Sequence, residues 1–379
     1  MKKKLFLLIA TIMAFSLLFV SLASPMPASA DATFTGNEWD TNTVVAVNRE
    51  DPHANFVSYS SEADALKYHT LELEKSDLYS SLDGMWNFHW VHRPADRPTE
   101  TSMPGFTTLG FDDSGWDKTE VPKNWQNNWG ADGDFKYDGL IYITSGLSWS
   151  GTFKNKATGA NITNGTVTQP ASPKNYNPVG TYRRKFTIPA QWKEENRSVF
   201  VQFGAVSSNC YVWVNGHAVG YAEDSYTQKN FDITPYINYD GENVMTVQAF
   251  RWCSASWFET QDMLRLSGIF RSVGLVARAK VDMYDIQTMT TPVVEDQYDG
   301  DWNLNIKTLL RDLGATPTQL GDARLSAKLY DAKGVAVGTA ATTSASTIAG
   351  SPYCVTMISA SSVFALYSST IGSITSGLN

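Results

Sequence analysis

Asn209-Cys-Tyr-Val-Trp-Val-Asn-Gly-His-Ala-Val-Gly-Tyr221 reads as two short strands folded around one tight turn. Asn215 and Gly216 both tolerate positive φ, which a two-residue hairpin turn requires. The flanking Val, Tyr and Trp side chains fill a pleated, half-buried surface well. Working outward, Ser198-Val-Phe-Val-Gln-Phe203 precedes this hairpin, and strand-like runs at 244–251 and 269–277 follow it. Residues 181–188 form another such run, closed by Pro189. Ser81-Leu-Asp-Gly-Met-Trp-Asn-Phe-His-Trp90 turns at Asp83-Gly84, then alternates Met85, Asn87 and His89 against Trp86, Phe88 and Trp90. That period of two marks a strand with one large aromatic face. Strands recurring about every 8 to 15 residues, with Gly and Asn between them, predict an all-β protein. The expected fold is a jelly-roll or galactose-binding-like β-sandwich over residues 31–279.

Composition narrows the function. Of 379 residues, 42% are hydrophobic, which is normal for a folded chain and excludes wholesale disorder. The 12% aromatic content suits β-sandwiches and sugar-binding surfaces. A formal charge of −8 argues against a nucleic-acid or anionic-membrane partner. Cys210, Cys253 and Cys354 are too scattered for a disulfide framework or zinc site, and Cys210 and Cys253 sit in apolar runs that favour buried free thiols. His53, His69, His89, His92 and His217 show no metal-binding spacing, and no glycine-rich phosphate loop is present.

The chain changes character three times. Lys2, Lys3 and Lys4 lead an apolar run to Val20, and Ala28-Ser29-Ala30 offers a cleavage site. Residues 1–30 are therefore expected to be a secretory signal, with the mature protein secreted or held at the cell surface. Between Gly130 and Gly180 the chain is rich in Gly, Asn, Thr and Ser, which predicts a long surface loop with Trp129 and Trp149 as exposed aromatics. Residues 280–345 carry three to four alternating strands and a turn at Asp331-Ala-Lys-Gly334, a partial immunoglobulin-like β-sandwich. Residues 346–379 form a tail without a single charged residue, read either as disordered or as foreign to the original fold.

Six segments in order carry a resemblance. They are Asn48-Arg49 with His53-Ala54; residues 81–88; Val121-Pro-Lys-Asn-Trp-Gln126; Asn177-Pro-Val-Gly-Thr-Tyr182; Trp213-Val-Asn-Gly-His-Ala-Val-Gly-Tyr-Ala-Glu-Asp-Ser225; and Gln261-Asp-Met-Leu-Arg-Leu-Ser-Gly-Ile-Phe-Arg271. Together they resemble the N-terminal part of large β-galactosidases of glycoside hydrolase family 2. The resemblance implies a sugar-binding jelly roll, then an immunoglobulin-like domain, with the two catalytic glutamates in a (β/α)8 barrel further on. Retaining hydrolysis needs two carboxylates about 5 Å apart, and a barrel needs roughly 250 residues. The residues after 340 contain neither Asp nor Glu. The expectation is thus an N-terminal fragment without catalytic residues, inactive alone. The alternatives are a stand-alone carbohydrate-binding module, or a subunit completed by a separate catalytic chain or by homo-oligomerisation.

The resemblance also assigns roles. Asp224 matches the family aspartate that binds a galactose hydroxyl and a monovalent cation, sodium; the competing reading is a turn aspartate capping the loop before Phe231. Thr144 stands where the family carries Asn, so its substrate contact is weakened. Magnesium belongs to the barrel of the family. Asp262, Arg265 and Arg271, with Glu259, are implied to form a structural charge loop rather than to touch sugar. Glu223 and Asp224 are adjacent and point apart, so no acid/base dyad is expected of them. Trp86, Trp90, Trp125 and Trp213 are read as core.

Overall fold

The computed structural model describes residues 31–68, 72–144, 146–259, 261–293, 301–314, 324–331, 333–344, 353–365 and 374–378, with backbone alone from 339 onward. The expected signal at 1–30, His69 and much of the tail therefore lie outside the described residues, as does the side chain of Cys354. Two antiparallel sheets face each other. The larger runs Ala46–Val47, His217–Glu223, Asn209–Val214, Asn243–Phe250, Val179–Phe186, Gly84–Val91 and Asp117–Val121 in spatial order. The smaller runs Lys229–Asp232, Ser198–Phe203, Val273–Arg278 and Tyr79–Ser81.

Alternation decides what each strand buries. Along Gly84–Val91, Trp86 and Phe88 are fully buried while Met85 is exposed. They meet Trp125, Tyr182 and Phe203 in one core that also takes Val199, Val201, Phe231 and Leu275 from the opposite sheet. Trp90 and Trp213 are half-buried. The opening hairpin closes as expected: Val214 pairs with His217, and Asn215 and Gly216 take φ of 52° and 90°. Its strands slip by one residue after Val212, so Trp213 faces Ala218 while Val212 faces Gly220. Cys210 and Cys253 are buried free thiols.

Two expectations are corrected. Trp149 is buried, not exposed, because the 130–180 segment builds its own small core. Phe153 stacks flat on Tyr176 at 4.4 Å, and Trp149 meets Trp257 edge-on at 4.9 Å. Residues 280–345 carry four strands among the described residues, within the three to four expected, and the tail adds two. Val281–Pro292, Asp301–Asp312 and Tyr353–Ala365 form one antiparallel sheet; Ala336–Ser344, Arg324–Tyr330 and Ile374–Leu378 form another. Secondly, part of the uncharged tail is strand, since two of those six come from it. Ser, Thr, Ala and Val pair readily on a pleat without any charge to signal it.

The outer face of Ser198–Phe203 is covered as well, which explains a strand buried on both sides. Arg278 and Arg311 lie over the Phe200 ring at 5.0 and 4.9 Å. Both arginines also meet Asp282, at 3.2 and 2.9 Å, and Arg311 pairs with Glu50. This buried network joins the first sandwich to the second unit.

Candidate functional site

Strand His217–Glu223 runs out of the larger sheet directly into the turn that carries Asp224. Asp224 takes φ of +83°, a left-handed conformation uncommon for a non-glycine residue. Its Oδ1 accepts the N–H of Tyr226 at 3.0 Å and of Thr227 at 3.3 Å, and its Oδ2 accepts the Thr227 hydroxyl. Burial works to raise this carboxyl, but those bonds and the Lys229 charge outweigh it and hold Asp224 below the usual aspartate range. The group is an ionised carboxylate on a half-exposed turn. A carboxylate offers about four acceptor positions, and the turn occupies three.

The turn is braced from beneath. Lys229 is fully buried, and its ammonium donates to the carbonyls of Asp224 and Thr227. Burial, the largest effect, lowers its pKa. Glu259 accepts from the Ser225 N–H at 2.7 Å and from its hydroxyl at 2.6 Å. Arg271 donates to the Tyr226 carbonyl at 2.9 Å. Arg265 donates to the carbonyls of Glu259 and Gln261, so backbone oxygens meet both arginines of the charge loop. Asp262 hydrogen-bonds the Tyr142 hydroxyl.

Thr144 reaches the same region by another route. Ile141–Tyr142 pairs with Leu264–Arg265, which places exposed Thr144 two residues beyond the pair. The 259–265 loop thus touches the Asp224 turn at one end and the Thr144 segment at the other. No described hydrogen bond joins Thr144 to Asp224.

Glu223 goes elsewhere. It accepts from Tyr221 Oη at 2.7 Å, Ser254 Oγ at 2.8 Å and the Ala255 N–H at 2.9 Å, all away from the turn. Burial pushes its pKa up to about 7. Glu259 is also raised by burial, yet both its oxygens are occupied by Ser225. Neither therefore presents a proton to a ligand beside Asp224, and these carboxylates act as braces. A cation at Asp224 would have one carboxylate and, behind it, the Lys229 ammonium. Among the described residues no three His, Cys, Asp or Glu converge on a metal site. The residues present thus fit one ligand of such a site, on the face away from Lys229.

Sequence reading missed Lys229. The signal for Lys229 was available: in Lys229–Asp232 it shares a face with buried Phe231. Also missed was a cleft of about 680 Å³ behind the turn, lined by Glu50, His53, Gln202, Asn230, Phe270 and Arg271 among others. In it His53 Nδ1 lies 2.9 Å from the Ala54 carbonyl and Nε2 2.9 Å from the Asn230 amide nitrogen.

Residues 79–279 match the family model described as glycosyl hydrolases family 2, sugar binding domain. A β-galactosidase of Priestia megaterium is 34% identical over 296 residues, covering 78% of this chain and 25% of that protein. The β-galactosidase large subunit of Lactobacillus helveticus is 34% identical over 249 residues, covering 65% of this chain and 37% of that subunit. The chain thus spans about a quarter of the length of the full β-galactosidases it matches. Among solved structures, a Bacteroides uniformis β-glucuronidase superposes with a TM-score of 0.52 at 17% identity, over 79% of this chain and 32% of that one. At that identity the likeness speaks for the fold alone.

Proposed function

The chain belongs to glycosyl hydrolases family 2, and on that premise we propose that its first sandwich is the sugar-binding part of an exported β-galactoside-hydrolysing enzyme. One observation carries the reading: the turn of the family-like motif holds an ionised, half-exposed carboxylate, Asp224, braced by Lys229, Glu259 and Arg271. An ionised carboxylate accepts hydrogen bonds from sugar hydroxyls strongly and need not titrate to do so. Asp224 is accordingly read as the contact to a galactoside hydroxyl and as one ligand of a sodium ion, with Thr144 a weaker neighbour. A bound sodium would supply a fixed positive charge to orient sugar oxygens. Magnesium finds no home among these groups and is assigned to the catalytic region.

General acid/base work is assigned outside these residues, because the carboxyls nearest Asp224 are occupied by their own braces. The 379 residues alone are therefore inactive. Incubation of the purified chain with a chromogenic β-galactoside tests this. No turnover is expected; turnover that survives repurification overturns it. Replacement Asp224→Asn tests the sugar contact: it is expected to abolish calorimetric heat with galactose in sodium buffer, and unchanged heat refutes the assignment.

A second reading is favoured by the relatives that are large subunits of β-galactosidases. In that reading a separate chain completes the enzyme. Mixing with such a chain should then restore turnover, and Asp224→Asn should reduce the restored rate.

A further inference from the structure

Trp129 stands out from every other indole of the described residues. It is 61% exposed, whereas most of the others are buried or half-buried. It does not dangle. Lys136 N–H donates to the Asn128 carbonyl, and Gly130 N–H to the Asp134 carbonyl, each at 2.8 Å. Those bonds bracket Trp129 and Phe135, which form an isolated antiparallel bridge. In an antiparallel ladder such a bracketed pair has its side chains on one face and closest together. The two rings accordingly stack at 4.7 Å with 25° between their planes. Phe135 thus covers one face of the indole and leaves the other open.

The hairpin beneath is tied down. Gly133 turns it with φ of +78°, Asp132 Oδ1 accepts the Asp134 N–H at 3.1 Å, and Lys156 pairs with Asp134 at 2.7 Å. Asp132 is exposed, and its Oδ2 has no described partner. A rigid, one-sided aromatic plate with a carboxylate beside it is thereby presented on a loop otherwise made of Asn, Asp, Gly, Ala and Lys. Such a plate is small and polar at its rim, whereas a standard protein interface buries about 800 Å² a side. It does suit a pyranose ring. The C–H groups of a galactopyranose cluster on one face and pack on an indole, while its hydroxyls point outward to acceptors.

We propose that Trp129, backed by Phe135 and flanked by Asp132, is a surface site for β-linked galactose-containing polysaccharide, separate from the Asp224 turn. Only the choice of galactose rests on the β-galactoside reading; the location rests on the rings. Preorganisation is the point of the backing ring, because an indole already fixed loses little freedom on binding.

Affinity electrophoresis of the full chain through gels containing β-1,4-galactan, xylan or glucomannan tests the site. Wild type is expected to be retarded by galactan. Trp129→Ala should bind at least about tenfold more weakly, a loss of about 1.4 kcal/mol. Trp129→Phe should lie between, and Phe135→Ala should weaken binding with Trp129 still present. Retardation on xylan alone, lost in Trp129→Ala, would keep the site and discard galactose, and with it the link to the β-galactoside reading. Equal retardation of Trp129→Ala and wild type, or none of wild type on any of the three gels, overturns the proposal. Trp129 is exposed, so its loss should leave the unfolding midpoint unchanged and the comparison clean.

Discussion

Two glutamates show how the same side chain takes opposite charge states in one domain. Glu50 is buried, and although burial works against its ionisation, Arg278, His53 and Arg311 outweigh it and hold its pKa at about 2. Because the folded value lies below the ordinary 4.5, its contribution is complete above about pH 4.5 and disappears as pH falls toward 2. Comparing urea midpoints of wild type and Glu50→Gln across that window should show an advantage for wild type of about 3 kcal/mol at neutral pH, shrinking with acid. Glu223 behaves in reverse. Burial raises it to about 7, so the folded state holds a proton that the unfolded state gives up above 4.5. Wild type should therefore lose stability, up to about 3 kcal/mol, as pH rises from 4.5 to 7. Glu223→Gln should remove that slope, and parallel pH profiles for the two proteins would refute the assignment. Adjacent in sequence, Glu223 and Asp224 end with different partners and opposite shifts. Adjacency and strand period foretold that they part; which of them stays charged depended on how strongly burial acts on Glu223 and on the turn bonds and Lys229 charge that hold Asp224 ionised.

At the scale of strands, the hydrophobic alternation of Gly84–Val91 and the Asn215-Gly216 turn were legible because each follows from local geometry. Gly220, within strand His217–Glu223, was visible as a motif letter but not as a necessity. A Cβ there would sit 2.4 Å from the Phe231 ring and 2.7 Å from the Val47 carbonyl. Neither neighbour can retreat, since one is core and the other is backbone of the paired edge strand. Gly220→Ala should therefore cost about 1 to 3 kcal/mol by overpacking, read as a lowered urea midpoint. A midpoint equal to wild type would show that the sheets have slack the packing denies. The Gly130–Gly180 segment failed in the other direction. Its polar composition suggests a loop, yet a few well-spaced rings, Trp149, Phe153 and Tyr176, suffice to give it a core of its own.

Across the whole molecule, the two units are joined by charge rather than by grease. Arg311 bridges Glu50 of the first to Asp282 of the second over the Phe200 ring. Arg311→Met should leave the two carboxylates with Arg278 and, for Glu50, His53, lowering stability by about 3 kcal/mol. It should also split the unfolding transition into two when fluorescence and circular dichroism are compared, whereas one coincident transition would argue that the network is not what couples the units. The amino-acid sequence by itself determined the all-β class, the sandwich architecture and the family likeness, because strand period, turn chemistry and ordered motifs are local properties of the chain. Only the tertiary structure decided that Lys229 lies buried beneath the Asp224 turn, that Trp149 is inside while Trp129 is outside, and that tail residues join strands from the middle of the second unit. Those outcomes depend on which distant residues meet, and a charge, a ring or an uncharged tail carries no mark of its partner until the sheets close on one another.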